Sequence, residues 1–234
     1  MVDFVSEIEK EFAFEVDSTI NNPLAKLAQS GKLDIKNLQE IAKQEYNIVP
    51  QEFRHMALSI LKTERTKAPE DLFLQRTLAD IMGVFLAEWE AYDQYVHVLG
   101  LTLDEVRKAP VMPAAHYFIA WSHYSGAALD PECHVAFLYM DWIAWGRACT
   151  KIGTALQEQK KFTADQIKYL ALFTAPDPKL LEKMRKVIND YAARSEENKW
   201  KLRWAVRLGL ASEKMFWDDI CDFGKKHDPF PGKS

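Results

Sequence analysis

The chain has 234 residues, 48% of them hydrophobic and 27% charged, with 30 Lys and Arg against 34 Asp and Glu for a formal net charge of -4. That small negative charge disfavours a nucleic-acid partner, and no uncharged apolar run approaches the ~20 residues a membrane helix needs. The acidic start (Asp3, Glu7, Glu9) lacks the basic-then-apolar layout of an export signal, so the expectation is a cytoplasmic single domain over residues 1–234, with no nucleic-acid and no membrane partner.

Nine glycines and ten prolines punctuate the chain, apolar residues recur at steps of three and four, and no run alternates with period two. An all-α fold is predicted, with helices over 4–19, 34–48, 51–62, 70–99, 114–125, 131–158, 164–173, 178–192 and 196–223. Start signals support several short helices. Thr102 with Glu105 and Thr163 with Gln166 form capping boxes, and Asp177-Pro178 places an N-cap before a proline at the first helical position. Gly100 reads as the C-cap of the long helix before it. There is no internal repeat or interdomain linker, and residues 224–234, polar and proline-rich, read as a loosely held tail.

Four acids interrupt these apolar stripes. Leu38-Ile41-Glu45-Ile48, Leu78-Ile81-Phe85-Glu88-Tyr92, Leu138-Asp141-Trp145 and Leu210-Glu213-Trp217 all keep helical spacing, so each carboxylate is predicted to face inward. Removing an ionised carboxylate from water costs several kcal/mol, which calls for partners, protons, a metal or a ligand. Aromatic residues on the same helices, among them Tyr117, Trp142, Trp145, Tyr169 and Trp217, would supply flat walls for a planar ring.

Other chemistry-bearing residues give weaker patterns. The three cysteines (Cys133, Cys149, Cys221) are too widely spaced for a disulfide framework or a metal knuckle and fit a reducing compartment. Glu90 and His97 lie seven apart on one helix face and form a candidate metal pair; His116 and His123 repeat that spacing, and His134 opens the next helix. Glu52 and His55 make the chain's one Glu-x-x-His, half of what a ferritin-like di-iron centre would need. Cys149 shares a face with Asp141 and Trp145, without a visible base beside it.

The run Ala211-Ser212-Glu213-Lys214-Met215-Phe216-Trp217 resembles the end of the TenA family, helical proteins of the haem-oxygenase-like fold with an acid three residues before Phe-Trp. Gln44-Glu45-Tyr46 is similar to that family's early Gln-Asp-Tyr. Glu88 followed by Leu99-Gly100-Leu101 looks like its acid helix ending in Leu-Gly-Ile, and Tyr169 to Leu180 resembles its Tyr-x-x-Trp-Ile-x-x-Tyr-Ala-Ser-Pro segment. The order of these pieces spans residues 4–224. One departure is clear: where the family carries a catalytic cysteine in Pro-Cys-x-Trp-x-Tyr, this chain has Met140, in Tyr139-Met140-Asp141-Trp142-Ile143.

The resemblance implies an all-α, haem-oxygenase-like helical bundle, a homodimer or homotetramer, and a branch of the family that lacks the cysteine. It also implies an enzyme without a cofactor that binds a small planar heteroaromatic, pyrimidine- or thiamin-related, and hydrolyses a C–N bond. Glu213, Asp141 and Glu45 would be catalytic: Glu213 as acid/base, Glu45 at the ring's amino edge, and Asp141 as the base that activates water. Glu88, Tyr117, Trp142 and Tyr169 would bind substrate. Two alternatives stand beside this expectation. One is a metal (di-iron) oxidase of the same fold using Glu45, Glu88, Glu90, His97, Asp141 and Glu213 in an atypical set, although the later H-x-x-x-D-x-x-H helix of such oxidases is absent. The other is a non-catalytic protein that binds a small ligand.

Overall fold

A computed structural model describes residues 3–63, 68–174 and 176–222. Among the described residues there are twelve helices and no strand. Capping chemistry sets most of the helix starts. Asp34, Thr102 and Thr163 close reciprocal capping boxes at the heads of α4 (Ile35–Glu45), α7 (Leu103–Lys108) and α10 (Ala164–Ala171). Proline occupies the first turn of α3 (Pro23–Gln29), α5 (Val49–Lys62), α6 (Pro69–Val98), α8 (Pro113–Ala128), α9 (Pro131–Gln159) and α11 (Pro178–Ala192), where its missing N–H costs nothing.

The helix predicted over 4–19 is two. α1 (Phe4–Glu11) and α2 (Ala13–Ile20) meet at Phe12, whose ψ of 15° leaves the helical region while its ring is wholly buried. Neither glycine nor proline marks this break; burial of one ring made it, a tertiary effect that local spacing does not report. α3 lies outside the predicted elements, although Asn22-Pro23 heads it with the same cap-plus-proline logic as Asp177-Pro178, the Asn22 carboxamide oxygen accepting from Ala25 N–H at 2.8 Å. The predicted tail, 224–234, lies outside the described residues.

α9 is the axis of the bundle. Every residue from Pro131 to Asp141 is buried, as expected of a helix covered on all sides, and α2, α3, α10, α11 and α12 (Glu196–Asp219) pack around it. Close approach of α12 requires Gly209: a Cβ there would sit 2.1 Å from Cδ2 of Phe137. On the other side α5 pairs with α6 and α8, and α8 in turn packs on α12. The space enclosed by α4, α5, α6, α9 and α12 holds the polar interior. No helix among the described residues is long and apolar enough to cross a membrane.

Candidate active site

Five carboxyls, one from each of those five helices, line a single cavity of about 30 Å³: Glu45 (α4), Glu52 (α5), Glu88 (α6), Asp141 (α9) and Glu213 (α12). The helical phase that predicted four of them inward agrees with their burial: Glu45 and Glu213 are 2% exposed, Glu88 and Asp141 7%. Glu52 is the acid that stripe reading missed. α5 starts at Val49 rather than Gln51, so Val49, Glu52 and Met56 form one inward stripe by the same three-and-four rule, with Val49 and Met56 fully buried.

The chain satisfies these acids only in part. The Tyr169 hydroxyl donates to Glu88 Oε1 at 2.9 Å and lies 3.5 Å from Glu45 Oε2. The Trp217 indole donates to Glu213 Oε1 at 2.5 Å. Glu52 and Glu88 line the same cavity, and the charge of Glu88 raises Glu52 further. Glu45 Oε1, Glu52 Oε2 and Asp141 Oδ1 are buried with no hydrogen-bond partner among the described residues. The remaining wall is aromatic or apolar (Ile48, Phe118, Trp142, Trp145, Phe173, Phe216), and among the described residues it includes no Lys, Arg or His.

Burial therefore moves every acid in one direction. Loss of solvation, then the charge of Glu88, pushes Asp141 up to about 8, and loss of solvation takes Glu88 up to about 7 against the hydrogen bonds from Glu52 and Tyr169. Glu45, Glu52 and Glu213 are raised well above the ordinary carboxylate range, first by burial and then by neighbouring acids. Carboxyls raised in this way keep their protons to higher pH than exposed ones. Such a group accepts N–H donors, stabilises a cation and exchanges protons near pH 7.

Other predicted residues fall elsewhere. Tyr117 is 40% exposed and does not reach the cavity; Phe118, one position on, takes the wall. α8 carries aromatic residues at Tyr117, Phe118, Trp121 and Tyr124, on several faces, so aromatic spacing alone could not choose its inward side. Tyr169 is not a wall either: its ring stacks on Tyr95 at 4.6 Å behind the acids, and only its hydroxyl serves them. Trp142 does line the cavity.

Glu90 and His97 both stand on the solvent side of α6, away from Glu88, and His97 sits 3.8 Å from Asp93. Two positions along a helix is a turn of about 200°, which puts Glu90 opposite Glu88. No group of three or more His, Cys, Asp or Glu side chains among the described residues is arranged to hold a metal ion. The Cys149 thiol is buried and pushed well up, by burial first and then by Glu213, so it is a poor nucleophile. Cys133, at the far end of α9, is pushed up to about 12 by burial.

A second buried polar cluster adjoins the first. His55, on the turn of α5 after Glu52, packs its ring 4.9 Å from His134 and 6.1 Å from His123. His134 Nδ1 pairs with the Ser59 hydroxyl at 2.5 Å, while His134 Nε2 and His55 Nδ1 have no partner among the described residues. Burial holds His134 down at about 3 and His55 well below its usual range, so both imidazoles are neutral.

The architecture has close counterparts among solved structures. A TenA homologue from Pseudomonas syringae pv. tomato superposes with a TM-score of 0.81 at 16% identity, covering 94% of this chain and 93% of that one. A TenA homologue from P. horikoshii gives 0.76 at 15%, covering 94% and 98%. Haem oxygenase-1 from the cyanobacterium Synechocystis, solved with haem, gives 0.63 at 12%, covering 94% and 95%. No family model and no curated protein matches the chain. The protein has the haem-oxygenase-like all-α fold. Its structural neighbours include TenA homologues across nearly their whole length. The donor set does not fit a haem: among the described residues no histidine lines this cavity, and five carboxyls occupy its wall.

Proposed function

We propose that this protein is an enzyme of TenA type that binds a small, planar, amino-substituted heteroaromatic and hydrolyses a C–N bond by carboxylate acid/base catalysis. One observation carries the reading: five inward acids without a countercharge, three of them with an unpartnered oxygen, share a cavity with indole and phenyl walls. A flat ring bearing N–H groups would satisfy both the walls and the acids, and the TenA-like order of motifs in the sequence supports the same ligand class.

The residues divide the reaction as follows. Trp142 and Phe118 flank the ring, and Glu45, with Oε1 free, accepts from its amino edge. Glu88, oriented by Tyr169 and with Glu52 beside it, sets the charge of the chamber. Asp141 in its ionised form takes a proton from water as the water oxygen bonds to carbon. Glu213, held protonated by burial, gives its proton to the departing nitrogen. One C–N bond breaks, one C–O bond forms, and the proton taken by Asp141 returns to Glu213 through the chamber. A base whose conjugate acid lies at about 8 is both strong and available near neutral pH.

Aminopyrimidines and their N-acyl and N-alkyl derivatives form the assay panel. Glu213→Gln and Asp141→Asn are each expected to lower kcat/KM by about 10²–10⁴, the usual worth of a positioned proton-transfer group. Unchanged turnover in both variants sinks the assignment, and tight binding without any turnover in the unmodified protein points to a ligand carrier instead.

A further inference from the structure

The acid cavity is too small for its ligand as it stands. About 30 Å³ accommodates a water or two, whereas a cavity that takes up benzene is on the order of 150 Å³. Two further spaces adjoin it. A void of about 60 Å³ lies behind Trp142 and Phe173, and beyond it a surface groove of about 590 Å³ runs between α6 and the start of α11. Phe173 borders all three, and Glu88 borders both the cavity and the groove. The groove alone has the volume of an ordinary ligand site, about 300–1,000 Å³.

The floor of the groove is cut from one face of α6. Ala79, Gly83 and Ala87, four apart, leave it open, and a Cβ built on Gly83 meets nothing within 4 Å. Leu172 and Leu180 face this floor; on the rim Lys183 pairs with Asp80 at 2.7 Å and Asp177 accepts from the Lys179 N–H, leaving the Lys179 side chain as the further charged group of the lining. An uncharged, mainly apolar chain fits such a surface. At the inner end the unpartnered oxygens of Glu45 and Asp141 mark where the polar head belongs.

We propose that this groove is the subsite for the chain attached to the substrate's exocyclic nitrogen, and that the substrate class is therefore an aminoheteroaromatic amide with an aliphatic acyl chain. The inference rests on the acid-cavity reading above. Phe173 is the partition, and rotation of its ring toward the neighbouring void joins cavity to groove. Gly146 seats it there, since a Cβ at that position would lie 2.4 Å from the Phe173 carbonyl oxygen. In the reaction water oxygen bonds to the acyl carbon, the C–N bond breaks, and the nitrogen takes one proton and leaves as the neutral ring amine. The fatty carboxylic acid departs along the groove, and no oxidant or reductant is needed.

A chain-length series tests this, from N-formyl to N-octanoyl on one aminopyrimidine. In the unmodified protein kcat/KM should rise about threefold per methylene until the groove is filled. Gly83→Trp, at an exposed position with open space, should cut the octanoyl rate by at least about thirtyfold and leave the formyl rate within about twofold, given what several buried methylenes are worth. Equal effects on both substrates, or on neither, overturn the subsite.

A second measurement does not depend on turnover. The Gly83→Cys variant is exposed to paired disulfides, one ending in an aminopyrimidine on a short alkyl linker and the other in phenyl, and labelling at the introduced thiol is read by peptide mass mapping. About tenfold enrichment of the aminopyrimidine, the discrimination one or two buried hydrogen bonds provide, is expected, and it should vanish when Phe173→Trp is added. Equal labelling overturns the proposal. Enrichment without turnover of any amide keeps the subsite and removes the hydrolase, whereas turnover indifferent to chain length does the reverse.

Discussion

The acid chamber and the histidine cluster start from the same helix, with Glu52 and His55 one turn apart on α5, yet they meet burial in opposite ways. The histidines give up their charge: neutral imidazoles pack edge-to-face on one another and on Phe85, with Ser59 closing one ring nitrogen. A neutral ring is half apolar, so such a cluster is a tolerable piece of core. The acids keep far more unmet demand, because five carboxyls face one space and three of their oxygens find no protein partner. Both clusters leave buried polar atoms without a partner among the described residues, two ring nitrogens in one and three carboxyl oxygens in the other, but only the acids gather around a cavity. That difference explains why a Glu-x-x-His pair, which in sequence suggests one metal site, here feeds two separate clusters.

Mutating the two regions in parallel gives the largest contrast. Asp141→Asn is expected to remove about 10²–10⁴ of kcat/KM on the amide panel, while His134→Asn, which keeps a polar atom facing Ser59, leaves it within about threefold. Comparable losses in both variants would mean the histidines belong to the reaction, and the division drawn between the clusters would fail.

Next in size is the pH dependence of stability. Asp141 loses its proton near its ordinary 3.8 in the unfolded chain but near 8 when folded, so the stability it contributes is full below about pH 4 and is lost as pH rises to about 8. His134 runs the other way. The unfolded chain takes up its proton near 6.5 and the folded chain only near 3, so stability is lost as pH falls through that interval. Each titrating group contributes a slope of roughly 1.4 kcal/mol per pH unit. Between about pH 4 and 6.5, where the two windows overlap, the two slopes oppose each other, so these two groups give thermal melts a plateau there with a fall on either side. Asp141→Asn should flatten the alkaline arm and His134→Asn the acid arm, at roughly 2–4 °C per kcal/mol in a chain of this size. A melt that rises steadily to pH 9 would contradict the acid chamber.

The sequence made the acids legible because a carboxylate inside an apolar stripe breaks a strong pattern: Glu45, Glu88, Asp141 and Glu213 each sit between residues that the fold buries. Glu52 was hidden by a helix start placed two residues late, which removed Val49 from its stripe. Tyr117 was misplaced for the opposite reason, since α8 is aromatic on so many faces that periodicity cannot orient it. The break at Phe12 and the partition at Phe173 depend on contacts with distant helices, and no local signal carries them. Fold class was plain from the three-and-four spacing, and the family-like motifs narrowed it, whereas the groove beside α6 is written only in what Ala79, Gly83 and Ala87 lack.

The smallest expected effect probes one of the hydrogen bonds that tie the chamber to the protein around it. Tyr169 is buried, stacked on Tyr95, and donates to Glu88, so Tyr169→Phe removes a hydroxyl while leaving the ring in place. Loss of that bond is worth about 1 kcal/mol in stability. Its second consequence is directional: the bond favours the ionised form of Glu88, so without it Glu88 titrates above its present value of about 7. The acid limb of the rate–pH profile, which records ionisation within the chamber, should move to higher pH, with kcat at its optimum lowered less than tenfold. A purely structural tyrosine would lower stability and leave that limb where it was. The same substitution should leave the acid arm of the melting profile unmoved, because His134 and its Ser59 partner make no contact with this bond.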